Sequence, residues 1–379
     1  MKVLAALSGG VDSAVAAALA VEAGHDVTGV HMALSSSPEA CRVGNRGCCS
    51  AEDAVDAARA AEIMGIPFYI WDLAAEFEGA VIDDFLDEYR AGHTPNPCVR
   101  CNEFVKFKEL SDRARALGFD AVCTGHYAKR VDGPDGVELH RGEHFEKDQS
   151  YVLAVMGRDE LSRVLLPLGD APTKAWVREQ AENRGLGVSN KPDSYDICFI
   201  PDGDTQGFLR SRLGEKQGDI VDPDGNVLGH HSGHYQFTVG QRKGLRIDQP
   251  AKDGRPRYVL ATDPETNRVV VGALELLSVD VIIGTDVVWL TEPGKISKGE
   301  NLTLQMRAHG ASTSVQSWES AENGLVVRLL EPVRGIAAGQ SMVLYEGSRV
   351  VAQATIREAS RRPGLCAAVP GVFGGPVAV

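Results

Sequence analysis

The chain has 379 residues, which is enough for two or three domains, and its hydrophobic content of 43% is ordinary for a globular protein. Its longest apolar runs, such as AVAAALAV over 14–21, are far shorter than the ~20 residues of a membrane span, so we expect no membrane partner. The net charge of −13 argues against a nucleic-acid partner for the chain as a whole, although a local basic surface is compatible with it.

The first part of the chain alternates strand-like and helix-like patterns. Its N-terminal apolar run is too short for a secretory signal, so we interpret it as a first strand and expect a cytoplasmic protein. Strands alternating with helices predict an α/β domain with a parallel sheet, in which ligands bind beyond the carboxyl ends of the strands. In chain order the predicted strands are KVLAAL, DVTGVHMAL, IPFYIWDL and FDAVCTGH, and the predicted helices are DSAVAAALAVEAG, SAEDAVDAARAAEIMG, FEGAVIDDFLDEY and CNEFVKFKELSDRARALG.

A glycine-rich loop, SGGVDS, joins the first strand to the first helix and runs from Ser8 to Ser13. Its two glycines let the backbone approach a ligand, and the helix N-terminus that follows offers unpaired N–H groups to a phosphate. Asp12 is the unexpected residue, because an acid repels phosphate unless Mg²⁺ or a capping role accounts for it. The loop is not a Walker A sequence and contains no lysine. A plain strand–helix turn with a Ser/Asp cap is the alternative.

Two cysteines lie close together in the string GHTPNPCVRCNEFVKF. We expect a helix to begin near Asn102, which places Cys101 at its N-terminus, where a thiol pKa is lowered. Lys106 and Lys108 add positive potential nearby. Cys198 follows much later in a polar loop, and a buried structural cysteine is the alternative there. Eight cysteines in a chain of this kind predict metal binding or chemistry rather than disulfides, and they stand at positions 41, 48, 49, 98, 101, 123, 198 and 366.

The sequence changes character after about Asp204. Turn dipeptides between short β-rich runs predict a small β-rich domain, and the alternating apolar runs after it predict a closed antiparallel β-barrel. The last stretch is rich in Gly, Pro and Ala, and we expect a flexible tail there. The predicted domains are 1–207 for the catalytic α/β domain, 208–275 for the small β-rich domain, 276–362 for the barrel and 363–379 for the tail.

Eight strings, taken in order, resemble those of one family, the tRNA-specific 2-thiouridylases of the ATP-pyrophosphatase superfamily. The resemblance covers nearly the whole chain and implies an N-terminal fold of the PP-loop, adenine nucleotide alpha hydrolase type. The strings are SGGVDS, CCSAEDAVDAARAAEIMGIPFY, GHTPNPCVRCNEFVKF, TGHYAK, KDQSYVLA, KPDSYDICFIPDGD, GHHSGHYQFTVGQRKGL and EPVRGIAAGQSMVLYEG.

The resemblance implies ATP-dependent 2-thiolation of uridine 34, the wobble base of tRNA. ATP adenylates O2 of the base, and sulfur then replaces the activated oxygen. By the same resemblance Cys101 is the nucleophile, and Cys198 carries persulfide sulfur. The two cysteines close afterwards into a transient disulfide that a reductant reopens. ATP with Mg²⁺ is the implied cofactor, and the implied nucleotide site is Ala6, Leu7, Ser8, Gly9, Gly10, Val11, Asp12, Ser13, Met32 and Gly125.

The implied partners are tRNA and a protein that hands over persulfide sulfur. An anticodon base must be flipped out of its stack to reach such a site. For His126 the alternative is a surface imidazole at a strand end, for Asp148 it is ordinary helix capping, and for Met32 a core methionine. Ala308 stands where the family has an aromatic residue that could stack. The implied contacts with tRNA or the target base are Asn96, Pro97, Cys98, His126, Lys147, Asp148, Gln149, Arg307, Ala308 and Gln340.

Many family members carry Asp where this chain has Cys98, which here makes a C-x-x-C pair with Cys101. With Cys198 this gives three thiols, enough to hold a [4Fe–4S] cluster whose open iron would carry the sulfur. A zinc site has no obvious fourth ligand. The persulfide and cluster routes both stay open, with the persulfide route ahead. Two other functions are weighed: another ligase of the superfamily, which has no need of Cys101 and Cys198, and a cysteine-rich metal-binding RNA module without catalysis.

Overall fold

The computed structural model describes residues 1–35, 51–192, 197–200, 202–245, 247, 254–298, 301–321 and 324–362. The predicted tail, 363–379, and Cys41, Cys48, Cys49 and Cys366 lie outside the described residues. Within the described part, no helix is long and apolar enough to cross a membrane.

The secondary structure follows the chain in three successive parts. The strands are β1 (Lys2–Ala6), β2 (Asp26–Ala33), β3 (Phe68–Asp72), β4 (Ala121–Cys123), β5 (Ala128–Gly133), β6 (Gly136–Arg141), β7 (Val164–Leu165), β8 (Gly218–Val221), β9 (Val227–His231), β10 (Tyr258–Asp263), β11 (Arg268–Gly272), β12 (Ser278–Trp289), β13 (Leu302–Gln305), β14 (Thr313–Ala321), β15 (Gly324–Arg334), β16 (Ser341–Glu346) and β17 (Arg349–Ser360). The α-helices are α1 (Val11–Glu22), α2 (Ala51–Met64), α3 (Ala74–Phe77), α4 (Asp84–Arg90), α5 (Pro97–Arg100), α6 (Leu110–Ala116), α7 (Ser150–Leu153), α8 (Arg158–Ser162), α9 (Lys174–Asn183) and α10 (Thr205–Leu213). The π-helical segments are Glu78–Asp83 and Cys101–Glu109, and the 3₁₀ turns are Phe145–Lys147, His234–Gln236, Leu274–Leu277 and Pro293–Lys295.

Five strands of the N-terminal part form a parallel sheet in the order β3-β2-β1-β4-β7. Alternate residues of β1 face opposite sides of this sheet. Val3 and Ala5 pack with α1, α2 and α9, while Leu4 and Ala6 pack with α6. The alanines of α1 leave room for the helix to lie close against the sheet, and Gly24, with φ +79°, ends it. The predicted parallel α/β fold is confirmed.

Two β-structures follow, as the sequence predicts. Strands β10-β11-β8-β9 form a small sheet in which β8 and β11 pair in parallel and the other pairs are antiparallel. Strands β12-β15-β14-β13-β16-β17 pair antiparallel, and the pairing of β12 with β17 closes them into a six-stranded barrel. The inward residues of the barrel strands form one apolar core. The small β-rich unit and the closed barrel are therefore confirmed.

A hairpin from the N-terminal part extends the barrel sheet, which the sequence analysis did not predict. Strands β5 and β6 pair with each other, and β6 joins β17 where His140 faces Arg349. Beside this junction the guanidinium of Arg141 lies 3.6 Å from the ring centre of Tyr345 and 2.9 Å from the carboxylate of Asp148. The hairpin thus ties the parallel-sheet part to the barrel through the stacking of Arg141 on Tyr345, and Asp148 of the N-terminal part holds that guanidinium in place.

The cysteine-bearing helix begins earlier than predicted. It starts at Pro97 rather than near Asn102 and continues into the π-helical segment. The Oδ1 of Asn96 accepts the backbone N–H groups of Cys98 and of the residue after it, at 3.2 and 3.3 Å. Asn at the N-cap and Pro at the first helical position both favour a helix start. Cys98 therefore lies in the first turn and Cys101 in the second.

Candidate active site

The glycine-rich loop closes on itself through its two serines. The backbone N–H of Ser8 donates to Oγ of Ser13 at 3.1 Å, and that hydroxyl donates to the carbonyl oxygen of Gly10 at 3.0 Å. Gly10 is the N-cap of α1, and no side chain in the described part of the chain caps this helix. The N–H groups of its first turn are therefore available to a ligand, which is the arrangement that binds phosphate.

Two glycines of the predicted nucleotide site allow the backbone to come close to other parts of the chain. Gly9 has φ +80°, and a Cβ there would lie 2.3 Å from the carbonyl oxygen of Asp53 at the start of α2. At Gly125, after β4, a Cβ would lie 2.6 Å from backbone atoms of Asp12 and Ser13. Atoms cannot approach so closely, so both positions require glycine. Together they bring α2 and the end of β4 against the loop.

The acid of the loop is paired with a lysine that the sequence analysis missed. The Nζ of Lys174 lies 2.8 and 2.6 Å from the two carboxylate oxygens of Asp12, and the hydroxyl of Tyr127 donates to one of them at 2.6 Å. Lys174 is the first residue of α9. The helix dipole disfavours a cation at the N-terminus of a helix. A lysine at the first position of α9 is therefore unusual, and that position in the sequence could have indicated a functional role. Asp12 thus holds a lysine beside a loop that has none of its own.

We expect Lys174→Met to raise the KM for ATP by about tenfold to a hundredfold, because a charge-assisted contact with phosphate contributes ~1.5–3 kcal/mol. The measurement is pyrophosphate release as a function of ATP concentration. Lys129→Met is the matched control, because Lys129 pairs with the exposed carboxylates of Glu143 and Asp170 on the hairpin side. An equal rise in KM for the control would contradict the assignment of Lys174 to the phosphate loop.

The structure brings Cys101 and Cys198 to one apolar cluster. Cys101 is 7% exposed and belongs to the buried part of this cluster. Cys198, in a turn over 197–200, is half-buried and packs against it, as does Met32 near the carboxyl end of β2. Two thiols far apart in the sequence therefore share one environment, at the edge of the sheet where the glycine loop also lies. The buried residues of the cluster are Leu34, Leu73, Phe77, Val81, Ile82, Phe85, Leu86, Cys101, Val105, Ile200, Leu209 and Tyr235.

The other two described cysteines differ sharply in exposure. Cys98 is exposed, whereas Cys123 at the end of β4 is 1% exposed, and burial raises the pKa of its thiol to about 12. Such a thiol is unreactive near neutral pH. Among the described residues, no group of three or more His, Cys, Asp or Glu side chains is placed to hold a metal ion. Cys98, Cys101 and Cys198 therefore do not present a preformed cluster site in that part of the chain.

His126 is buried, so the alternative of a surface imidazole is wrong. It is 9% exposed, and its Nδ1 lies 2.9 Å from the hydroxyl of Thr124. Its ring centre is 5.9 Å from that of Phe107 in the π-helical segment. Burial, and then the positive charge of Lys106, hold the pKa of His126 well below its usual range. The imidazole is therefore neutral at pH 7.

The trio implied to contact tRNA, Lys147 to Gln149, is mostly turned inward. The carboxylate of Asp148 is 4% exposed, pairs with Arg141 at 2.9 Å, and accepts the N–H and hydroxyl of Ser150 at 3.1 and 2.8 Å. Asp148 lies just before α7, whose N-cap is Gln149 without a side-chain cap, and its carboxylate joins the start of that helix to Arg141. The Oε1 of Gln149 accepts a backbone N–H at 2.9 Å. Lys147 is the exposed member of the trio.

A cavity of about 610 Å³ lies where the three parts of the chain meet. Gln340 on its wall donates to the carbonyl oxygens of Thr94 and Pro95, and so holds the segment that leads into the cysteine-bearing helix. Arg307 also lines the cavity and donates to a backbone carbonyl of the barrel. Ala308 instead packs against an apolar core cluster. The cavity is lined by Thr94, Thr238, Val239, Gly240, Gln241, Tyr258, Leu274, Leu277, Met306, Arg307, Arg334, Gly335, Ile336, Ala337 and Gln340.

Comparison with known proteins gives a consistent match along the whole chain. Family models match in succession: the tRNA methyl transferase HUP domain over residues 1–202, the tRNA methyl transferase PRC-barrel domain over 206–273, and the Aminomethyltransferase beta-barrel domain over 279–356. The tRNA-specific 2-thiouridylase MnmA of Beutenbergia cavernae is 58% identical over 379 residues, which is 99% of each chain. That of Streptomyces coelicolor is 57% identical over 95% of this chain and 96% of the relative.

Similarity to solved structures is much lower. A 4-thiouridine synthetase–RNA complex with bound ATP is 18% identical, with a TM-score of 0.32, over 56% of this chain and 50% of that one. A similarity at this level carries no conclusion about the present chain.

Proposed function

The chain belongs to the tRNA-specific 2-thiouridylase family, and from this premise we propose that it uses ATP to thiolate C2 of the wobble uridine, U34, in tRNA. One observation carries the proposal: Cys101 and Cys198 share a single apolar cluster at the same edge of the sheet as a glycine loop suited to phosphate. A nucleotide site and two thiols are what an oxygen-to-sulfur exchange driven by ATP requires.

In the first step the glycine loop binds the phosphates of ATP. O2 of the base attacks the α-phosphorus, the bond to the β-phosphate breaks, and pyrophosphate leaves while AMP stays bonded to O2. The N–H groups at the start of α1 and the ammonium of Lys174 stabilise the negative charge of the phosphates. Mg²⁺ bound with ATP would add neutralisation, and the loop oxygens that would hold it are the hydroxyls of Ser8 and Ser13 and the carboxylate of Asp12, which is paired with Lys174 in this structure.

In the second step sulfur replaces the activated oxygen. The terminal sulfur of a persulfide on Cys198 attacks C2, the C2–O2 bond breaks, and AMP leaves with that oxygen. The thiolate of Cys101 then attacks Sγ of Cys198, and the electron pair of the broken S–S bond forms the thiocarbonyl of the product. A disulfide between the two cysteines remains, and an external dithiol must supply two electrons before the next turnover.

The different exposure of the two thiols supports this division of roles. Cys198 is half-buried in a turn at the border of the cluster, so a persulfide donor has a route to its sulfur. Cys101 is 7% exposed, which keeps its thiol from the donor and places it where little water reaches. A water molecule there would hydrolyse the adenylate back to uridine without sulfur transfer.

We place tRNA at the cavity between the three parts of the chain. Arg307 and Arg334 line this cavity, and Lys147 is exposed on the N-terminal part, so positive charge is available to phosphate within an acidic protein. U34 must leave its stack to reach the thiols. Asn96 and Pro97 follow Thr94, which is on the cavity wall, and lead into the cysteine-bearing helix. We assign the enzyme to the cytoplasm, with a persulfide-carrying protein as its sulfur donor.

The persulfide route implies that Cys98 is dispensable. Cys98→Ser removes an exposed thiol and leaves the cap of Asn96 intact, because Asn96 accepts the backbone N–H groups of residues 98 and 99 and not a side chain. We expect formation of 2-thiouridine within about twofold of wild type, because the persulfide route makes and breaks no bond at the sulfur of residue 98. Loss of product, together with iron and sulfide in the anaerobically purified wild type, would instead establish the [4Fe–4S] route.

One assay separates this proposal from its rivals. The enzyme is incubated with ATP, a sulfur donor and unmodified tRNA, and the nucleosides are then analysed by mass spectrometry. The proposal requires 2-thiouridine and AMP. Another ligase of the superfamily would release AMP without 2-thiouridine and without any need for Cys101 and Cys198. A binding module would retain tRNA and release no AMP. A methyl transferase, the activity that two of the family-model descriptions name, would leave the nucleosides unchanged in this mixture and would form a methylated nucleoside only after a methyl donor is added.

A further inference from the structure

Cys101 opens a π-helical segment, which changes the residues that share its face. The segment runs over Cys101–Glu109, and the N–H of Leu110 donates to the carbonyl oxygen of Val105, five residues back. Hydrogen bonds of this i→i+5 type place residue i+5 one turn above residue i. Lys106 therefore lies one turn above Cys101 on the same side, whereas in an α-helix the two side chains would point about 140° apart.

The contacts of the inner side agree with this geometry. Cys101 and Val105 both belong to the apolar cluster, as residues four positions apart do on one face of either helix type. The amide Nδ2 of Asn102 donates to the carbonyl oxygen of Val152 at 3.1 Å, so the adjacent face is also turned inward. Lys106 lies between these two faces and is half-buried.

The contacts on the outer side of the segment show that Lys108 lies on a different face from Lys106. The ring centre of Phe104 lies 4.3 Å from the guanidinium of Arg100 and 5.4 Å from Nζ of Lys108. Lys108 is exposed. Lys106 and Lys108 are close in the sequence, yet they lie on opposite sides of the segment, which makes Lys108 a matched control.

The positive charge of Lys106 also acts on a buried group on the inner side of the segment, the imidazole of His126. His126 is buried beyond the end of β4, with its ring 5.9 Å from that of Phe107, the residue after Lys106. After burial, the charge of Lys106 is what lowers the pKa of His126. The ammonium therefore lies toward the carboxyl edge of the sheet, where the thiols and the glycine loop meet.

Cys101 needs a nearby cation in order to react as a thiolate. It is 7% exposed among apolar side chains, and such burial favours the neutral thiol. The helix N-terminus does not meet this need, because the helix starts at Pro97 and the effect of the dipole falls off within the first turn. Arg100 does not meet it either, because its guanidinium is stacked on the ring of Phe104 on the outer side of the segment, where it also contacts Asp84 at 2.8 Å and Glu103 at 3.3 Å.

One other cation lies beside the cluster: Arg212 of α10, whose guanidinium is 5.5 Å from the ring centre of Phe208 in the same helix and 3.5 Å from the carboxylate of Glu78. The remaining titratable groups there carry no positive charge. His126 is neutral at pH 7, and burial raises the pKa of the Tyr89 hydroxyl, which keeps it neutral too. Tyr235 and Cys198 belong to the cluster as well, and neither can carry a positive charge. Lys106 is thus the cation on the inner side of the π-helical segment in the described part of the chain.

We propose that Lys106 supplies the positive charge that stabilises Cys101 as a thiolate. The inference rests on the nucleophilic role proposed above for Cys101. Lys106 is a positioning residue in this scheme, because it acts through Cys101 on the attack at Sγ of Cys198. The π-helical segment is the structural device that brings the lysine to the thiol.

The pH dependence of Cys101 alkylation by iodoacetamide tests the proposal, because only the thiolate reacts. Trypsin cleaves after Arg100, so Cys98 and Cys101 fall in different peptides, and mass spectrometry follows each separately. We expect Lys106→Gln to slow alkylation of Cys101 at pH 7 by about tenfold, which corresponds to one unit in the thiol pKa. Lys106→Arg retains the charge and stays near the wild-type rate, and Lys108→Gln leaves the profile unchanged.

A pH profile of Lys106→Gln that superimposes on wild type overturns the proposal, as does an equal shift in Lys108→Gln. Thermal unfolding of each variant shows whether it is folded. The wild type alone is also decisive, because a midpoint of Cys101 alkylation above the ~8.5 of an ordinary thiol contradicts a stabilised thiolate. Alkylation needs neither tRNA nor ATP, so its outcome is independent of whether the chain forms 2-thiouridine.

Discussion

Cys198→Ser forms no 2-thiouridine, with a fall of at least about a thousandfold in product, as is usual when a covalent catalytic group is removed. A serine oxygen cannot hold a persulfide, so the sulfur has no carrier. Cys198 lies in a half-buried turn, so a substitution of similar size leaves the fold intact. The first step does not use this thiol. The variant therefore still releases pyrophosphate when tRNA and ATP are present.

Cys101→Ser fails at a later point. Sulfur has already reached C2 in this variant, but nothing attacks Sγ of Cys198 to release it. Without added thiol, we expect a covalent adduct of protein and tRNA, joined through Cys198, which dithiothreitol cleaves to give 2-thiouridine. Denaturing gels and mass spectrometry before and after reduction detect the adduct. Its appearance in Cys101→Ser, and its absence in Cys198→Ser, assign the order of the two thiols.

Cys123→Ala is the matched control for both substitutions. This thiol is 1% exposed, and burial raises its pKa to about 12, so it takes no part in chemistry at neutral pH. The control tests whether losing any cysteine from this part of the chain impairs the enzyme. We expect its product yield to follow its folded fraction. Formation of 2-thiouridine by Cys198→Ser would contradict the assigned role of that residue.

Gly9→Ala lowers ATP-dependent pyrophosphate release by about a hundredfold or more, because displacement of a catalytic loop by about 1 Å has effects of that size. The new Cβ would lie 2.3 Å from the carbonyl oxygen of Asp53, so the loop and the start of α2 must move apart. The backbone of Gly9, at φ +80°, also disfavours alanine by roughly 1–2 kcal/mol. Pyrophosphate release and thermal denaturation measure the two effects.

Gly24→Ala separates the effect of backbone strain from the effect of steric overlap with Asp53. Gly24 lies just beyond the other end of the same helix, α1, with φ +79°, and a Cβ there meets nothing within 4 Å. It shares the backbone strain of Gly9 but not the overlap. We expect Gly24→Ala to reduce stability by about 1 kcal/mol and to leave the KM for ATP unchanged. Equal catalytic loss in both variants would mean that the close approach of Asp53 to Gly9 has no functional role.

The sequence was sufficient for the features that local patterns determine. Strand–helix alternation predicts the parallel sheet because each element must bury one face, and β1 packs on both sides as that pattern requires. The glycine loop was identified because only glycine tolerates the approaches seen at Gly9 and Gly125. The alternating apolar runs of the last third predict the closed barrel, because each places every second residue in one core.

Features that depend on distant contacts were missed. The pairing of Lys174 with Asp12 joins two helix starts that are far apart in the sequence. No local pattern around either residue indicates which residue it pairs with. The hairpin β5–β6 joins the barrel through a single register pair at its edge, His140 with Arg349. The start of the cysteine-bearing helix was a local error, because Asn96 and Pro97 form a favourable cap that the prediction overlooked.

The π-helical segment could not be predicted from residue types. Its sequence, CNEFVKFKE, contains ordinary helix-forming residues, and an i→i+4 pattern is their default. The extra residue per turn is maintained by packing, with Cys101 and Val105 held in the apolar cluster and Asn102 bonded to α7. Such a choice between two helix types is made by tertiary contacts. This is also why the face shared by Cys101 and Lys106 became visible only in the structure.

The fate of one oxygen atom tests the central claim most directly. Unmodified tRNA whose uridine carries ¹⁸O at O2 is incubated with the enzyme, ATP and a sulfur donor, and mass spectrometry then follows AMP and the modified base. If O2 departs as an ester of AMP, each 2-thiouridine is matched by one AMP that carries ¹⁸O. Formation of 2-thiouridine with the label in inorganic phosphate, in pyrophosphate or in water, and with AMP unlabelled, would contradict adenylation of the base.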